Sequence, residues 1–175
     1  MRLIYRLTDS DFLRGAPEFI NTVSRFASRG VLIDNHNNVA MLYMSRMDLY
    51  KLPGGGIEKG ETKEEAFLRE IREETGFSAE IIGNLGYIEE HKNKNNFFQY
   101  SYCFVAKAIK KNKDINLSDD EMKSGMVVEW MAIERALEKM NDSIQSCDDY
   151  SSKFMILRDQ IVLQEAVKLF FLGVK

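Results

Sequence analysis

The chain has 175 residues, with 24 Lys plus Arg against 27 Asp plus Glu, 45% hydrophobic residues, 11 Gly and 2 Pro, the proportions of one ordinary globular domain. A net charge of −3 with no basic stripe argues against a nucleic-acid partner, and no apolar run is long enough to cross a membrane. The N-terminal MRLIYRLTDSD is broken by charges too early for a signal peptide, so a cytoplasmic location is expected.

From Ser28 the chain reads RGVLI, then the turn-rich DNHNN, then VAMLYM, which is two apolar runs flanking a hairpin signal. Leu49 to Leu52 continues as a brief strand and stops at the glycine run after Pro53. Thr62 with Glu65 three residues on is a capping-box pattern, and Gly76 supplies a stop, so a helix is expected over Lys63 to Thr75. Strands follow at Ala79 to Ile88 and Phe97 to Ala108, with the polar EEHKNKNN between them as a long hairpin loop. The basic stretch from Lys107 to Asp114 reads as a solvated strand end and loop. Met126 to Met131 reads as a strand, Ile133 to Met140 as a helix and Ser152 to Leu172 as a long terminal helix. In that last helix Met155, Ile156, Val162, Leu163, Ala166, Val167, Leu169 and Phe170 share one broad arc, which suits packing on a sheet and leaves a homodimer contact as the alternative. Cys103 falls in an apolar run and reads as core, whereas Cys147 lies in a polar stretch and reads as exposed, both as free thiols.

The informative segment is GGGIEKGETKEEAFLREIREETGF, from Gly54 to Phe77. At 3.6 residues per turn, with Glu70 at 0°, Glu74 falls at about 40° and Glu73 at about 300°, so three carboxylates share one helix face. Phe67, Leu68 and Ile71 border that face, while Glu65 and Arg72 look outward. Like charges so placed repel unless a cation lies between them. Gly54, Gly55 and Gly56 lack Cβ atoms, so the backbone there turns sharply or brings a carbonyl or N–H close to a metal or a phosphate. Carboxylates beside carbonyl oxygens suit a hard divalent cation, Mg²⁺ with Mn²⁺ as a substitute.

The spacing is Gly55, five residues, Glu61, seven residues, Arg69-Glu70, Ile71, one residue, Glu73-Glu74, one residue, Gly76 and Phe77. It resembles the Nudix box at every fixed position. The resemblance implies an α+β chain with the Nudix fold, an α/β/α sandwich with a mixed sheet and a long C-terminal helix, as a single domain over residues 1–175 with its core over about 25–140. It also implies an enzyme that hydrolyses a nucleoside diphosphate linked to another moiety. Carried onto these positions, Glu70 and Glu74 are metal ligands, Glu73 is a third ligand or holds metal-bound water, and the Gly54 carbonyl is a backbone ligand. Arg69 orients one of these carboxylates, and Glu61 pairs with Arg69 or tunes the site electrostatically. The general base varies in the family: it is Glu70 itself or a later loop acid, for which Glu121 in LSDDEMKS is the candidate, with Asp119 and Asp120 close behind.

Substrate choice lies outside the box. The stretch from His91 to Asn95 has neither the Pro of ADP-ribose enzymes nor the Tyr of dinucleoside polyphosphate enzymes, and no coenzyme A signature precedes the box. What remains resembles the generic mutator-type branch, which implies a small-molecule nucleotide substrate, a nucleoside triphosphate cut to a monophosphate and pyrophosphate. A sugar-nucleotide pyrophosphatase and a non-catalytic nucleotide-binding Nudix domain stay as alternatives, the latter disfavoured by a box that keeps every carboxylate. Gly55, Gly56, Arg46 and Lys51 are candidate phosphate contacts, Arg46 and Lys51 reading equally as surface charge. Tyr43, Tyr50, Phe97, Phe98 and Tyr100 are strand aromatics that read more readily as core, and among them Tyr100 or Phe98 is the candidate base-stacking residue. His36 and His91 read as solvated.

Overall fold

A computed structural model describes residues 1–112 and 115–171. Strands β1 (Leu3–Thr8), β2 (Arg25–Ile33), β3 (Val39–Met44), β4 (Leu49–Lys51) and β5 (Gly54–Gly56) precede helix α1 (Lys63–Thr75). Strands β6 (Phe77–Lys92) and β7 (Phe97–Lys111), helix α2 (Asp119–Ser124), strand β8 (Met126–Met131) and helices α3 (Ile133–Ser146) and α4 (Tyr150–Ala166) follow. Among the described residues the strands form one mixed eight-stranded sheet with β1-β6-β7-β2-β3-β4 as its spine, β5 pairing with β2 and β8 with β3. β1 runs parallel to β6 and β2 parallel to β7, and the other pairings are antiparallel.

Period-two alternation sends neighbouring side chains to opposite faces, and both faces are covered. Val31, Ile33, Cys103 and Val105 pack under α3 and α4 with Phe154, Val162 and Leu163, whereas Leu32, Phe104 and Ala106 meet Phe67 and Ile71 of α1. The expected α/β/α sandwich with a mixed sheet is the observed architecture. A fully buried side chain such as Phe154 contributes roughly 1.5–3 kcal/mol through the surface it removes from water.

Helix α1 begins and ends where expected. Thr62 accepts a hydrogen bond from the Glu65 N–H, the Glu65 carboxylate accepts from the Thr62 N–H, and Gly76 closes the helix at φ 73°.

Several expectations are corrected. The glycine run, for which the sequence predicts no regular element, forms a strand: Gly54 to Gly56 pair with Arg29 to Ala27 as β5. EEHKNKNN is not a long loop, because β6 continues to Lys92 and only a tight turn at Asn93–Asn95 separates it from β7. His91 is therefore buried rather than solvated, its Nδ1 accepting the Ile20 N–H at 3.1 Å. Cys147 is buried against Met44 and Ile156, not exposed. α3 runs on to Ser146, and α4 starts at Tyr150 and ends at Ala166, followed by a π turn over Val167–Phe171. Leu169 and Phe170 of the expected buried arc are each 40% exposed. Lys113, Asp114 and Leu172 lie outside the described residues.

Candidate active site

Helix α1 presents Arg69, Glu70, Glu73 and Glu74 toward β5 and α2. Arg69 is the hub: Nε and Nη2 donate to Glu61 at 2.8 and 3.1 Å, Nη1 to Glu70 at 2.9 Å and to Glu73 at 3.0 Å, and Nη2 to the Gly56 carbonyl at 2.9 Å. A planar guanidinium makes such a set without bending, and a lysine cannot. The Glu61 hydrogen bonds first, then Glu70 and Glu73, drive the Arg69 pKa above its usual range, and Arg69 in turn holds the Glu61 carboxyl below its own.

Glu74 is buried to 2% exposure, with Oε1 accepting from Lys51 Nζ and Oε2 from the Gly54 N–H, both at 2.7 Å. Burial pushes its pKa up to about 7, Glu70 adds repulsion, and Lys51 and the Gly54 N–H oppose the rise. Glu70 is raised in the same direction by burial, against Arg69, with Glu73 and Glu121 adding to it. It lies directly on Gly55, where a Cβ would collide with the Glu70 carboxylate. At Gly54, with φ 142°, a Cβ would strike Arg29 and the Ser28 carbonyl. These two glycines keep β5 pressed between β2 and the acids.

Glu121 sits in the first turn of α2 rather than in an open loop. Its Oε2 accepts from the Ser118 N–H and hydroxyl, both at 2.8 Å, and its Oε1 lies 3.8 Å from Lys51 Nζ. Burial works against its charge, but the Ser118 hydrogen bonds and Lys51 outweigh it and hold the carboxyl below the usual range. Asp119 and Asp120 are exposed on the same helix.

Arg46 is not brought to the acids. It is exposed in the β3–β4 turn, its N–H bonded to the Ser124 carbonyl at 3.1 Å. Phe98 is buried against His91, and Tyr100 stacks on Phe26 at 5.8 Å. Tyr43 and Tyr50 stack on each other at 4.7 Å, with the Tyr50 hydroxyl donating to Glu129.

Three adjoining cavities surround the acids, and Arg25 lines all three. The central one, about 380 Å³, holds Glu70, Glu73, Arg69, Glu121 and Gly55. The largest, about 780 Å³, has Phe26 and Tyr102 in its wall beside Gly56, the two rings stacked at 6.4 Å with Phe26 48% exposed. The third, about 380 Å³, is lined by Arg29, Lys51, Lys92 and Arg158. Arg25, Phe26, Tyr102, Lys92 and Arg158 were not legible as site residues. A readable signal lay in SRFASRG, where Arg25 and Arg29 fall on one strand face and Phe26 on the other.

The family model of the NUDIX domain matches residues 24–147. The chain belongs to the Nudix family. A methanol dehydrogenase activator of Bacillus methanolicus is 30% identical over 79% of this chain and 72% of its own length. A putative 8-oxo-dGTP diphosphatase of Bacillus subtilis (strain 168) is 32% identical, over 35% of this chain and 42% of its own length. Among solved structures, a NUDIX hydrolase from Nitrosomonas europaea superposes with TM-score 0.54 at 21% identity, covering 75% of this chain and 90% of its own. Named relatives include pyrophosphohydrolases and diphosphatases, and the chain is a Nudix-type hydrolase of diphosphate linkages.

Nudix hydrolases generally use divalent metal ions. The donor set here fits one: all the donors are oxygens, Glu70 and Glu74 are held above their ordinary pKa by burial, and Glu70 Oε2 and Glu73 Oε1 make no hydrogen bond among the described residues. Arg69 and Lys51 offset only part of their charge, and among the described residues no three His, Cys, Asp or Glu side chains converge as a closed ligand set.

Proposed function

We propose that this Nudix hydrolase cuts a nucleoside triphosphate to a nucleoside monophosphate and pyrophosphate with Mg²⁺ as its cofactor, Mn²⁺ substituting. The carrying observation is the position of the acid cluster, in a cavity that adjoins an exposed aromatic ledge at Phe26 and Tyr102. A base stacks on such a ledge, and Arg25, common to both cavities, reaches the phosphates between. The ledge replaces Tyr100 and Phe98 as the stacking element in this reading, because Tyr102 rather than Tyr100 stands in the cavity wall and Phe98 is buried.

Glu70, Glu73, Glu74 and Glu121, with the Gly54 carbonyl, would hold the cation. Bound there, it supplies charge neutralisation for the phosphates and for the negative charge that grows in the transition state. Arg69 keeps the carboxylates from splaying and ties them to Glu61 and the Gly56 carbonyl. Lys51 bridges Glu74 and Glu121 and contributes a positive charge at the phosphate path. In the reaction one water is consumed: its oxygen bonds to phosphorus, the bridging P–O bond breaks, and the electron pair leaves on the bridging oxygen. Glu70 takes the water proton, a role supported by its Oε2, which makes no hydrogen bond among the described residues. Glu121 is less suited, because Ser118 already occupies one oxygen and stabilises its charge.

The test is a panel of nucleoside triphosphates, oxidised triphosphates, sugar nucleotides and dinucleoside polyphosphates assayed with Mg²⁺, products resolved by ion-exchange chromatography. A triphosphate giving monophosphate and pyrophosphate with the highest kcat/KM is expected. A sugar nucleotide preferred over every triphosphate by more than tenfold would overturn the substrate assignment and leave the site chemistry standing.

A further inference from the structure

The third cavity is walled by β2, β5, the turn ends of β6 and β7 and the first three turns of α4. Five cations line it, Arg25, Arg29, Lys51, Lys92 and Arg158, and it shares Gly55 and Glu121 with the acid cluster. Below it lies a buried network. Arg158 Nε donates to Asp159 at 2.8 Å and its Nη1 to both Glu90 oxygens at 3.3 Å, while Gln99 and the Ser101 hydroxyl also donate to Glu90 at 2.7 and 2.9 Å. Arg29 Nη1 lies 3.5 Å from the same Asp159 oxygen, and Lys92 Nζ lies 3.9 Å from Glu90.

The charges do not close. Arg29, Arg158 and Lys92 share only Glu90 and Asp159, and Arg25 makes no ion pair among the described residues. Arg29 adds an unmet donor: its side chain is 5% exposed, and its Nε–H is buried with no hydrogen-bond partner. A buried cation that shares its carboxylate with another cation and keeps an idle donor costs stability unless something else offsets it. Burial, and then repulsion from Arg158, Arg29 and Arg25 against the pull of Glu90, holds the Lys92 ammonium below its usual pKa. Ser151 and Ser152, from the first turn of α4, add hydroxyls and the positive end of a 17-residue helix.

We propose that this cleft is an anion subsite that receives a phosphate group of the substrate on the far side of the scissile diphosphate from the aromatic ledge. The ligand class is a phosphate or diphosphate monoester end. A neutral sugar in the same place would leave the excess positive charge unanswered. The order of the cavities, aromatic ledge, acid cluster, cationic cleft, with Arg25 common to all, matches a substrate with a base at one end and an extra anionic group at the other. Arg158 and its helix lie beyond residues 24–147, so the subsite is built partly from chain outside the Nudix match. The inference deepens the triphosphate reading and rests on it for the identity of the substrate, but binding is tested separately.

The probe is inorganic pyrophosphate, titrated calorimetrically into the full chain in EDTA, so that no divalent ion draws it to the carboxylates. Saturable binding is expected, weakened at least tenfold by Lys92→Gln and by Ser151→Glu, and retained in Glu70→Gln. Ser151 is exposed, and a Glu in a first helical turn does not disturb folding, so this variant keeps the test valid if Lys92→Gln fails to fold. No saturable binding, binding unchanged in Ser151→Glu, or binding lost only in Glu70→Gln would each overturn the subsite. Binding in EDTA with no hydrolysis of any triphosphate would instead overturn the proposed function and leave the subsite intact.

Discussion

Arg69 and Glu61 face each other through two hydrogen bonds, Nε to Oε1 at 2.8 Å and Nη2 to Oε2 at 3.1 Å, so the acid eight residues before the arginine sets the plane of its guanidinium. The remaining nitrogen, Nη1, then has one direction left, and it meets Glu70 and Glu73 there. Arg69→Lys keeps the charge and loses the fork. We expect kcat to fall by about 10²-fold with KM nearly unchanged, since the carboxylates lose their spacing while the ledge is untouched. Steady-state kinetics with a triphosphate checks this.

Glu70→Gln preserves shape and removes both a ligand charge and the proton acceptor. The expected loss in kcat is about 10³-fold or more, with circular dichroism unchanged. Glu65→Gln, on the exposed side of the same helix, should stay within about twofold, because glutamine also serves in a capping box. Equal damage from both would mean that the acid face has been misassigned.

That contrast also marks what could be read from sequence. Helix α1 was legible in full because its signals are local: a cap, a stop, and carboxylates three and four apart. Strand β1 was not, since Leu3–Thr8 makes its pairing with β6, more than eighty residues away. Glu89, Glu90 and His91 looked like a polar loop because polarity normally means exposure. They are buried because Arg6, Arg158 and the Ile20 N–H reach them from distant segments. The aromatic ledge and the cationic cleft were hidden for the same reason, each being assembled across strands that only the fold brings side by side.

Removing the ledge should change binding more than chemistry. Phe26→Ala is expected to raise KM about tenfold, the worth of one stacked base, with kcat within about threefold. A fall in kcat with KM constant would place the base elsewhere.

The Glu90 network predicts the response to acid. Burial works against the charge on Glu90, yet Arg158, Lys92 and Arg29 outweigh it and hold its folded pKa below 4.5, and Asp159 is depressed through Arg158 and Arg29 in the same way. A depressed carboxyl contributes stability that is complete above its unfolded pKa and is lost as pH falls through the folded one. Thermal denaturation should therefore show stability falling as pH drops below about 4.5. Glu90→Gln should be less stable at pH 7 by about 3 kcal/mol, because Lys92 loses its partner and Arg158 and Arg29 are left to share Asp159, and should show a shallower decline in acid.

Chelation is the simplest check on the acid cluster. EDTA should abolish hydrolysis, and Mg²⁺ or Mn²⁺ should restore it. The same addition of metal should raise the melting temperature of the native chain and not that of Glu70→Gln, a readout independent of turnover.

Asp159 accepts the Leu52 N–H at 2.9 Å, immediately ahead of Pro53 and the glycine strand. Residues 52 to 77 leave the ribosome before α4, so the strand that leads into the box gains its Asp159 anchor only once that helix has followed it. A product truncated before α4 carries the entire box without the anchor that sets its approach.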